Sequence, residues 1–114
     1  MRAVAAALVV ALAAAAPARG GEEPRAVRVV AKRFSFTPSE IRLKKGEPVV
    51  LELVSEDRPH GFKLPAFKIR VDVLPKEITR VPLTPDKTGT FTFACDVFCG
   101  DGHEDMTGTL VVTE

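Results

Sequence analysis

The chain has 114 residues, enough for one small domain, and its 16 basic and 15 acidic residues give a net charge of +1 at pH 7. This balance excludes the clustered positive charge of a nucleic-acid-binding domain. With only two histidines, no Ser-His-Asp order and no glycine-rich phosphate loop, the chain also lacks the motifs of a stand-alone hydrolase or nucleotide-binding enzyme.

Residues 1–18 have the pattern of a signal peptide. Arg2 is followed by an unbroken run of small and apolar residues, which ends in an Ala-Pro-Ala sequence of the small-x-small form that precedes cleavage. A retained membrane anchor is the alternative, but about 14 apolar residues are fewer than the roughly 20 that cross a bilayer. We therefore predict a periplasmic or otherwise exported protein, cleaved between Ala16 and Gly21.

Residues 19–26 are predicted to be a linker, and residues 27–114 a single domain of short strands. No segment has a helical repeat, and apolar and polar residues alternate between Pro and Gly breaks. A change of parity near Lys32 predicts a bulge or bend in the first strand. The alternating segments are 27–36, 41–44, 49–54, 69–73, 78–81, 88–95 and 107–113. Seven or eight such strands predict an all-β, Greek-key β-sandwich.

Four of the side chains that bind soft metals lie within one segment of 12 residues. Cys95, Cys99, His103 and Met106 are spaced by four, four and three positions, and two glycines lie between them. A glycine-containing loop can fold back and direct all four side chains inward. Thiolate, imidazole and thioether ligands together favour copper over Mg²⁺ or Ca²⁺. With the distant His60, the remaining imidazole, they predict a copper site.

Simpler explanations exist for these residues. Two cysteines in an exported protein can form a disulfide, although this one would close a very short loop. Zinc accepts two Cys and two His, but the spacing lacks a paired H-x-x-x-H half and zinc disfavours a thioether. A lone Met is ordinarily a core residue, and a lone His a loop residue. The acidic residues between the ligands are interpreted as a solvated loop that compensates copper charge; they are Asp96, Asp101, Glu104 and Asp105.

The segment 95–106 resembles the Cys-x-x-x-Cys-x-x-x-His-x-x-Met loop of the binuclear copper (CuA) cupredoxin domain found in cytochrome c oxidase subunit II and nitrous oxide reductase. Upstream, the sequence PHGFKLP around His60 and VDVLP at residues 71–75 resemble that family's histidine strand. The similarity covers most of residues 27–112. It implies a cupredoxin fold, whereas a mononuclear blue-copper protein, which needs only one Cys here, remains the fallback.

The resemblance also implies a role for each ligand. Two thiolates would bridge two copper ions, each ion would bind one imidazole, and each would have one weak axial ligand. The implied bridging thiolates are Cys95 and Cys99, and the implied imidazoles are His60 and His103. The implied weak ligands are the Met106 thioether and the backbone carbonyl of Val97. Such a centre shares one unpaired electron between two metals and therefore transfers electrons with little reorganisation.

Several features differ from those of oxidase subunits. The position of Val97 commonly carries a carboxylate or an amide in that family, and the Trp and Tyr residues associated with docking are absent. No transmembrane hairpin precedes the domain in this sequence. We therefore expect a monomeric, free-standing relative of the oxidase subunit.

The expected function is electron transfer with a redox protein such as a c-type cytochrome or a terminal reductase. Copper storage or delivery by a metallochaperone is the alternative, and an accessory role in an oxidase complex remains open. Four apolar residues beside the ligands could form a docking patch or could simply exclude water from the metal; they are Phe62, Leu64, Val97 and Phe98.

Overall fold

The structure, a computed structural model, describes residues 24–98 and 100–114 and consists almost entirely of β-strands. Short 3-10 turns at Pro65–Phe67 and His103–Asp105 are the helical segments of this part of the chain. Its nine strands are β1 (Arg25–Lys32), β2 (Ser35–Thr37), β3 (Glu40–Lys44), β4 (Val49–Ser55), β5 (His60–Leu64), β6 (Ile69–Val73), β7 (Thr79–Leu83), β8 (Gly89–Ala94) and β9 (Thr107–Thr113).

The strands form two sheets that pack face to face. One sheet has four strands in the order β2-β1-β4-β7, and the other has five in the order β3-β9-β8-β5-β6. β1 pairs in parallel with β4, and β3 pairs in parallel with β9, whereas the other neighbours are antiparallel. The chain therefore crosses repeatedly from sheet to sheet, and the predicted all-β sandwich is confirmed.

The core follows from the period-two alternation of the strands. In β4 every second side chain is buried, while Glu52 between them lies on the outer face. The space between the sheets is filled by aliphatic side chains and by the rings of Phe36, Phe62 and Phe93. These rings lie 4.9, 5.2 and 6.0 Å apart between centroids, two of the three pairs edge-to-face. This aromatic cluster lies directly beneath the end of the sandwich that carries the predicted ligands.

The described part of the chain has nine strands, one more than the upper limit of the seven or eight expected. The change of parity near Lys32 is a tight turn at Arg33 and Phe34, after which β2 runs back antiparallel to β1 as a separate short strand. β1 begins at Arg25, opposite Val49 of β4, and so includes the last two residues of the predicted linker.

The predicted signal peptide, residues 1–18, lies outside the described residues, as does most of the linker. Within the described part of the chain, no helix is long and apolar enough to span a membrane. Export therefore stays a prediction made from the sequence.

Candidate metal centre

Three neighbouring strands bring predicted ligands to one end of the sandwich. β5 begins at His60, β8 ends one residue before Cys95, and β9 begins one residue after Met106. Because β8 is antiparallel to both β5 and β9, these three strand ends meet at the same end of the sheet. The Cys95 N–H donates to the Met106 carbonyl at 3.0 Å and so closes the base of the loop between them.

These three side chains are shielded from water because they continue the inward-facing rows of their strands. His60 precedes Phe62 by two residues, and Cys95 follows Phe93 by two residues, which is the period of a strand. His60 and Met106 are fully buried, and Cys95 is 5% exposed. A thiol and an imidazole therefore meet beside an aromatic cluster, and the buried Met106 is joined to Cys95 through the backbone; this soft donor set fits copper.

The two ring nitrogens of His60 have different neighbours. Nε2 lies 2.7 Å from Oδ1 of Asp57, and Nδ1 lies 3.8 Å from Sγ of Cys95. A carboxylate accepts hydrogen bonds, so Nε2 donates to Asp57, and Nδ1 is the ring nitrogen that faces the thiol. Metal-binding histidines commonly have this arrangement, in which a carboxylate orients the ring through its other nitrogen.

Asp57 is held by the backbone around it. Partial burial raises the pKa of Asp57, but hydrogen bonds outweigh this effect and lower the pKa to about 2. The backbone N–H of Arg33 donates to Oδ2 at 2.9 Å, that of Arg58 donates to Oδ1 at 2.7 Å, and His60 supplies the third bond. The carboxylate is therefore charged at neutral pH and fixes the His60 ring.

The Cys95 sulfur has two backbone neighbours besides His60. The Gly61 N–H points at Sγ from 3.5 Å, and the thiol donates to the Val97 carbonyl at 3.3 Å. Cys95 carries a free thiol. The carbonyl predicted to be a weak ligand thus lies beside a sulfur predicted to bridge two metals.

The remainder of the predicted ligand loop is more exposed. Cys99 lies outside the described residues. His103 begins the second 3-10 turn, is half-buried, and accepts the Met106 N–H at its carbonyl at 3.1 Å. Its ring lies 5.7 Å from that of Phe98, which is 68% exposed. The imidazole predicted to bind the second copper therefore lies near the surface, beside an exposed aromatic ring.

Two glycines shape this loop. Gly100 and Gly102 have φ angles of 132° and 102°, which residues with a side chain rarely adopt. The ring of Phe34 packs against both, so that a Cβ atom would lie 3.2 Å from it at Gly100 and 3.1 Å at Gly102. The loop thus depends on glycine for its backbone angles and for the close approach of Phe34.

The four acidic residues of the loop do not share one environment. Asp101, Glu104 and Asp105 are exposed, as a solvated loop predicts. Asp96 instead receives two hydrogen bonds from the Arg70 guanidinium, each 2.8 Å long, and these bonds lower its pKa. The sequence did not indicate this ion pair.

The four apolar residues beside the predicted ligands also differ in their burial. Phe62 and Leu64 are buried and exclude water from beneath the site. Val97 is half-buried and packs against the core, whereas Phe98 is exposed. Phe98 is thus the one of these four residues whose side chain is mostly exposed.

Across residues 24–98 and 100–114, no three His, Cys, Asp or Glu side chains form a group that could hold a metal ion. The donors that meet at this end are the His60 imidazole, the Cys95 thiol and the Val97 carbonyl, and the buried Met106 is joined to Cys95 through the backbone. The nearby carboxylate of Asp57 is turned toward Nε2 of His60 and so orients a predicted ligand.

A β-sandwich with Cys, His and Met gathered at the end of adjacent strands is the arrangement of a cupredoxin. The chain matches the family model described as a cupredoxin-like domain over residues 3–112, and it belongs to that family.

Sequence relatives show which cupredoxin-like proteins this chain is similar to. Cytochrome c oxidase subunit 2 of Thermus thermophilus is 36% identical over 94 residues, which are 82% of this chain and 70% of the relative. A second subunit 2 from the same species has the same identity, and the chain spans 56% of its length. Nitrous-oxide reductase of Ralstonia nicotianae is 36% identical over 90 residues, 75% of this chain but 14% of the reductase. The predicted resemblance to cytochrome c oxidase subunit II and nitrous oxide reductase is confirmed.

Solved structures show the same fold. The crystal structure of the periplasmic domain of subunit II of cytochrome oxidase from Bradyrhizobium japonicum has a TM-score of 0.75 at 19% identity. The match covers 84% of this chain and 88% of that domain. At this identity the likeness supports the fold alone.

Proposed function

We propose that the protein is an exported electron carrier with a binuclear copper centre of the CuA type. Bound copper would supply a one-electron redox couple shared between two metals. The proposed ligand groups are the His60 and His103 imidazoles, the Cys95 and Cys99 thiolates, the Met106 thioether and the Val97 carbonyl.

The observation that carries this proposal is the contact between His60 and Cys95. Their donor atoms lie 3.8 Å apart, close enough to share one metal ion, although the residues are 35 positions apart in the chain. Asp57 orients the imidazole, and the Gly61 N–H is directed at the sulfur. A site whose ligands are held this firmly changes little when its charge changes, which favours electron transfer over release of the metal.

The exposed side of the centre suits contact with a redox protein. Phe98 is the most exposed of the large apolar side chains that the structure describes, and its ring lies beside that of His103. A partner that covers Phe98 would come close to a ligand of the second copper. A c-type cytochrome or a terminal reductase has the required chemistry, in keeping with the cytochrome c oxidase and nitrous-oxide reductase relatives.

The proposed location is the periplasm or another exported compartment. The pattern of residues 1–18 supports it, and the structural relative from Bradyrhizobium japonicum is itself a periplasmic domain. Thiolate ligands that hold copper also suit a compartment in which free thiols would otherwise be oxidised.

Copper reconstitution of the purified protein tests the proposal. We expect two copper ions per chain, a purple colour and a seven-line hyperfine pattern in the EPR spectrum, because one electron couples to two copper nuclei. One copper with a four-line spectrum would refute the binuclear centre while leaving a mononuclear copper protein.

Two variants locate the site. Cys99→Ser should convert the centre to mononuclear copper or abolish binding, because one bridging thiolate is lost. Asp101→Ala changes an exposed residue of the same loop and should leave the copper content unchanged. Equal copper content in both variants would contradict the proposed ligand set.

Exchange kinetics separate an electron carrier from a delivery protein. The loaded protein should keep its copper against a chelator of moderate affinity and should exchange electrons with a c-type cytochrome. Rapid loss of copper to the chelator, without electron exchange, would instead show a storage or delivery protein.

A further inference from the structure

An ion pair crosses the outer face of the five-stranded sheet beside the candidate metal centre. Arg70 lies on the edge strand β6, and Asp96 directly follows Cys95. Nε and Nη2 of Arg70 donate to Oδ2 and Oδ1 of Asp96, both at 2.8 Å, which is the forked geometry of a paired guanidinium and carboxylate. The remaining Nη1 donates to Asp72 and fixes the guanidinium from the other side.

The pair passes over Gly61 of β5, the strand that lies between β6 and β8. A Cβ atom at this position would clash with Oδ1 of Asp96 and would lie 2.9 Å from Nη2 of Arg70. Gly61 thus leaves room for the pair on one side. On its other side, its N–H hydrogen-bonds to Cys95 Sγ at 3.5 Å.

We propose that Arg70 is a positioning residue for the metal centre, because it holds Asp96 over Gly61 and thereby keeps the Cys95 sulfur beside the Gly61 N–H and the His60 ring. Its relevance to copper rests on the proposed function, whereas its effect on the Gly61 and Cys95 backbone does not. An N–H directed at a thiolate withdraws electron density from the sulfur. Since a bound metal would need that density most in its oxidised state, the bond would raise its reduction potential.

The exposure of the pair indicates a geometric role rather than a large stabilising one. The side chains of Arg70 and Asp96 are 40% and 28% exposed, and ion pairs this accessible to water contribute little to folding. The pair instead fixes the orientation of the Asp96 carboxylate, because a planar guanidinium holds a carboxylate through two parallel bonds and a lysine ammonium does not.

Amide hydrogen exchange of the metal-free protein tests the positioning directly. In Arg70→Gln the Gly61 amide should exchange about three- to tenfold faster, as expected for loss of a partly screened, charge-assisted pair. The amide of Leu53, in the centre of β4, should not change. In Arg70→Lys, Gly61 should remain close to the Arg70→Gln value, because the charge is kept but the fork is lost.

Arg28→Gln is the matched control. Arg28 donates two hydrogen bonds to Glu52, at 3.0 and 3.3 Å, on the opposite sheet, and is exposed to a similar extent. This variant should leave Gly61 exchange unchanged. Unaltered Gly61 exchange in Arg70→Gln, or an equal rise in Arg28→Gln, would overturn the proposal.

Copper-loaded protein supplies the second measurement. The reduction potential of Arg70→Gln and of Arg70→Lys should be lower than that of the wild type, and that of Arg28→Gln should not change. If Arg70→Lys had the reduction potential of the wild type, the positive charge of residue 70 rather than the forked geometry of Arg70 would set that potential. This result would overturn the proposal. If the protein binds no copper, the proposed function fails, while the exchange measurement still decides whether Arg70 positions Cys95.

Discussion

The two halves of the candidate centre are built differently. The sheet half consists of His60, Cys95 and Met106, which prolong three strands and are buried. The loop half consists, in the described part of the chain, of residues 96–98 and 100–105, which include His103, are exposed or half-buried, and owe their backbone turns to glycines. Strand pairing fixes the positions of ligands in the sheet half, whereas backbone turns determine them in the loop half. Substitutions in the sheet half should therefore affect folding and metal together, and those in the loop half mainly the metal.

The largest contrast is expected between the two histidines. His60→Ala removes a fully buried ring and its bond to Asp57, and should lower the free energy of unfolding of the metal-free protein by about 2–4 kcal/mol. His103→Ala removes a half-buried ring, and should cost less than about 1 kcal/mol. Both variants should lose copper. Urea unfolding and metal analysis measure the two effects, and equal losses of stability would show that the halves are not distinct.

A smaller effect is expected at Gly61, where the sheet half meets the ion pair of Arg70. Gly61→Ala should destabilise the protein by about 1–3 kcal/mol, because the added methyl group displaces Asp96, and copper should dissociate faster. Urea unfolding of the metal-free protein and transfer of copper to a chelator measure the two effects.

Gly46→Ala is its control, because Gly46 also resists substitution, but for a different reason. Gly46 has a φ of 85°, which alanine rarely adopts, and a Cβ atom there would have no neighbour within 4 Å. It lies far from the candidate metal centre, so Gly46→Ala should lower the free energy of unfolding by about 1 kcal/mol without changing copper dissociation. Faster dissociation in both variants would mean that general loss of stability, rather than the Gly61 contact, loosens the metal.

A third contrast concerns the aromatic residues next to the ligands. Phe62→Leu leaves a space in the core and should cost about 1–2 kcal/mol, whereas Phe98→Leu should change stability by less than about 0.5 kcal/mol. In contrast to its small effect on stability, a change at this position should affect function: Phe98→Ser should slow electron transfer to a c-type cytochrome without changing copper content. Unfolding and stopped-flow measurements check this pair, and an unchanged transfer rate would remove Phe98 from the docking surface.

The fold was more predictable than the contacts around the site. Alternation of apolar residues marks β4 and β9 in the sequence because each has one face in the core. β2 is too short, at three residues, to show a pattern of its own, and its antiparallel return depends on the turn at Arg33. The parallel pairing of β1 with β4 joins distant segments and leaves no local signal.

In the candidate site, the type and spacing of the predicted ligands can be read from the sequence, whereas the residues that support them cannot. The cluster of soft side chains in residues 95–106 is unusual enough to identify from composition and spacing. Asp57 lies in a short charged segment that looks like any solvated loop, and only the folded chain shows its bond to His60. Arg70 lies 26 residues from Asp96, and their contact requires the order of β6, β5 and β8 in the sheet.

The smallest expected effect tests the body of the sandwich apart from either half of the centre. Glu52 lies on the outer face of the four-stranded sheet, where a hydrogen bond from Arg28 lowers its pKa and Arg80 adds a weaker contact at 3.4 Å. A carboxylate whose pKa is lowered by folding stabilises the protein above its unfolded pKa of 4.5, and this contribution is lost as the pH falls below that value.

Glu52→Gln should therefore flatten the decrease in the thermal midpoint of the metal-free protein below about pH 4.5, and Arg28→Gln should do the same by removing the donor. Thermal unfolding across the acid range measures this slope, and an unchanged slope in Glu52→Gln would refute the role of the pair. Because Glu52 is remote from both halves of the centre, neither variant should alter copper content. A change in copper content would show instead that the charge of the outer sheet is coupled to the metal end.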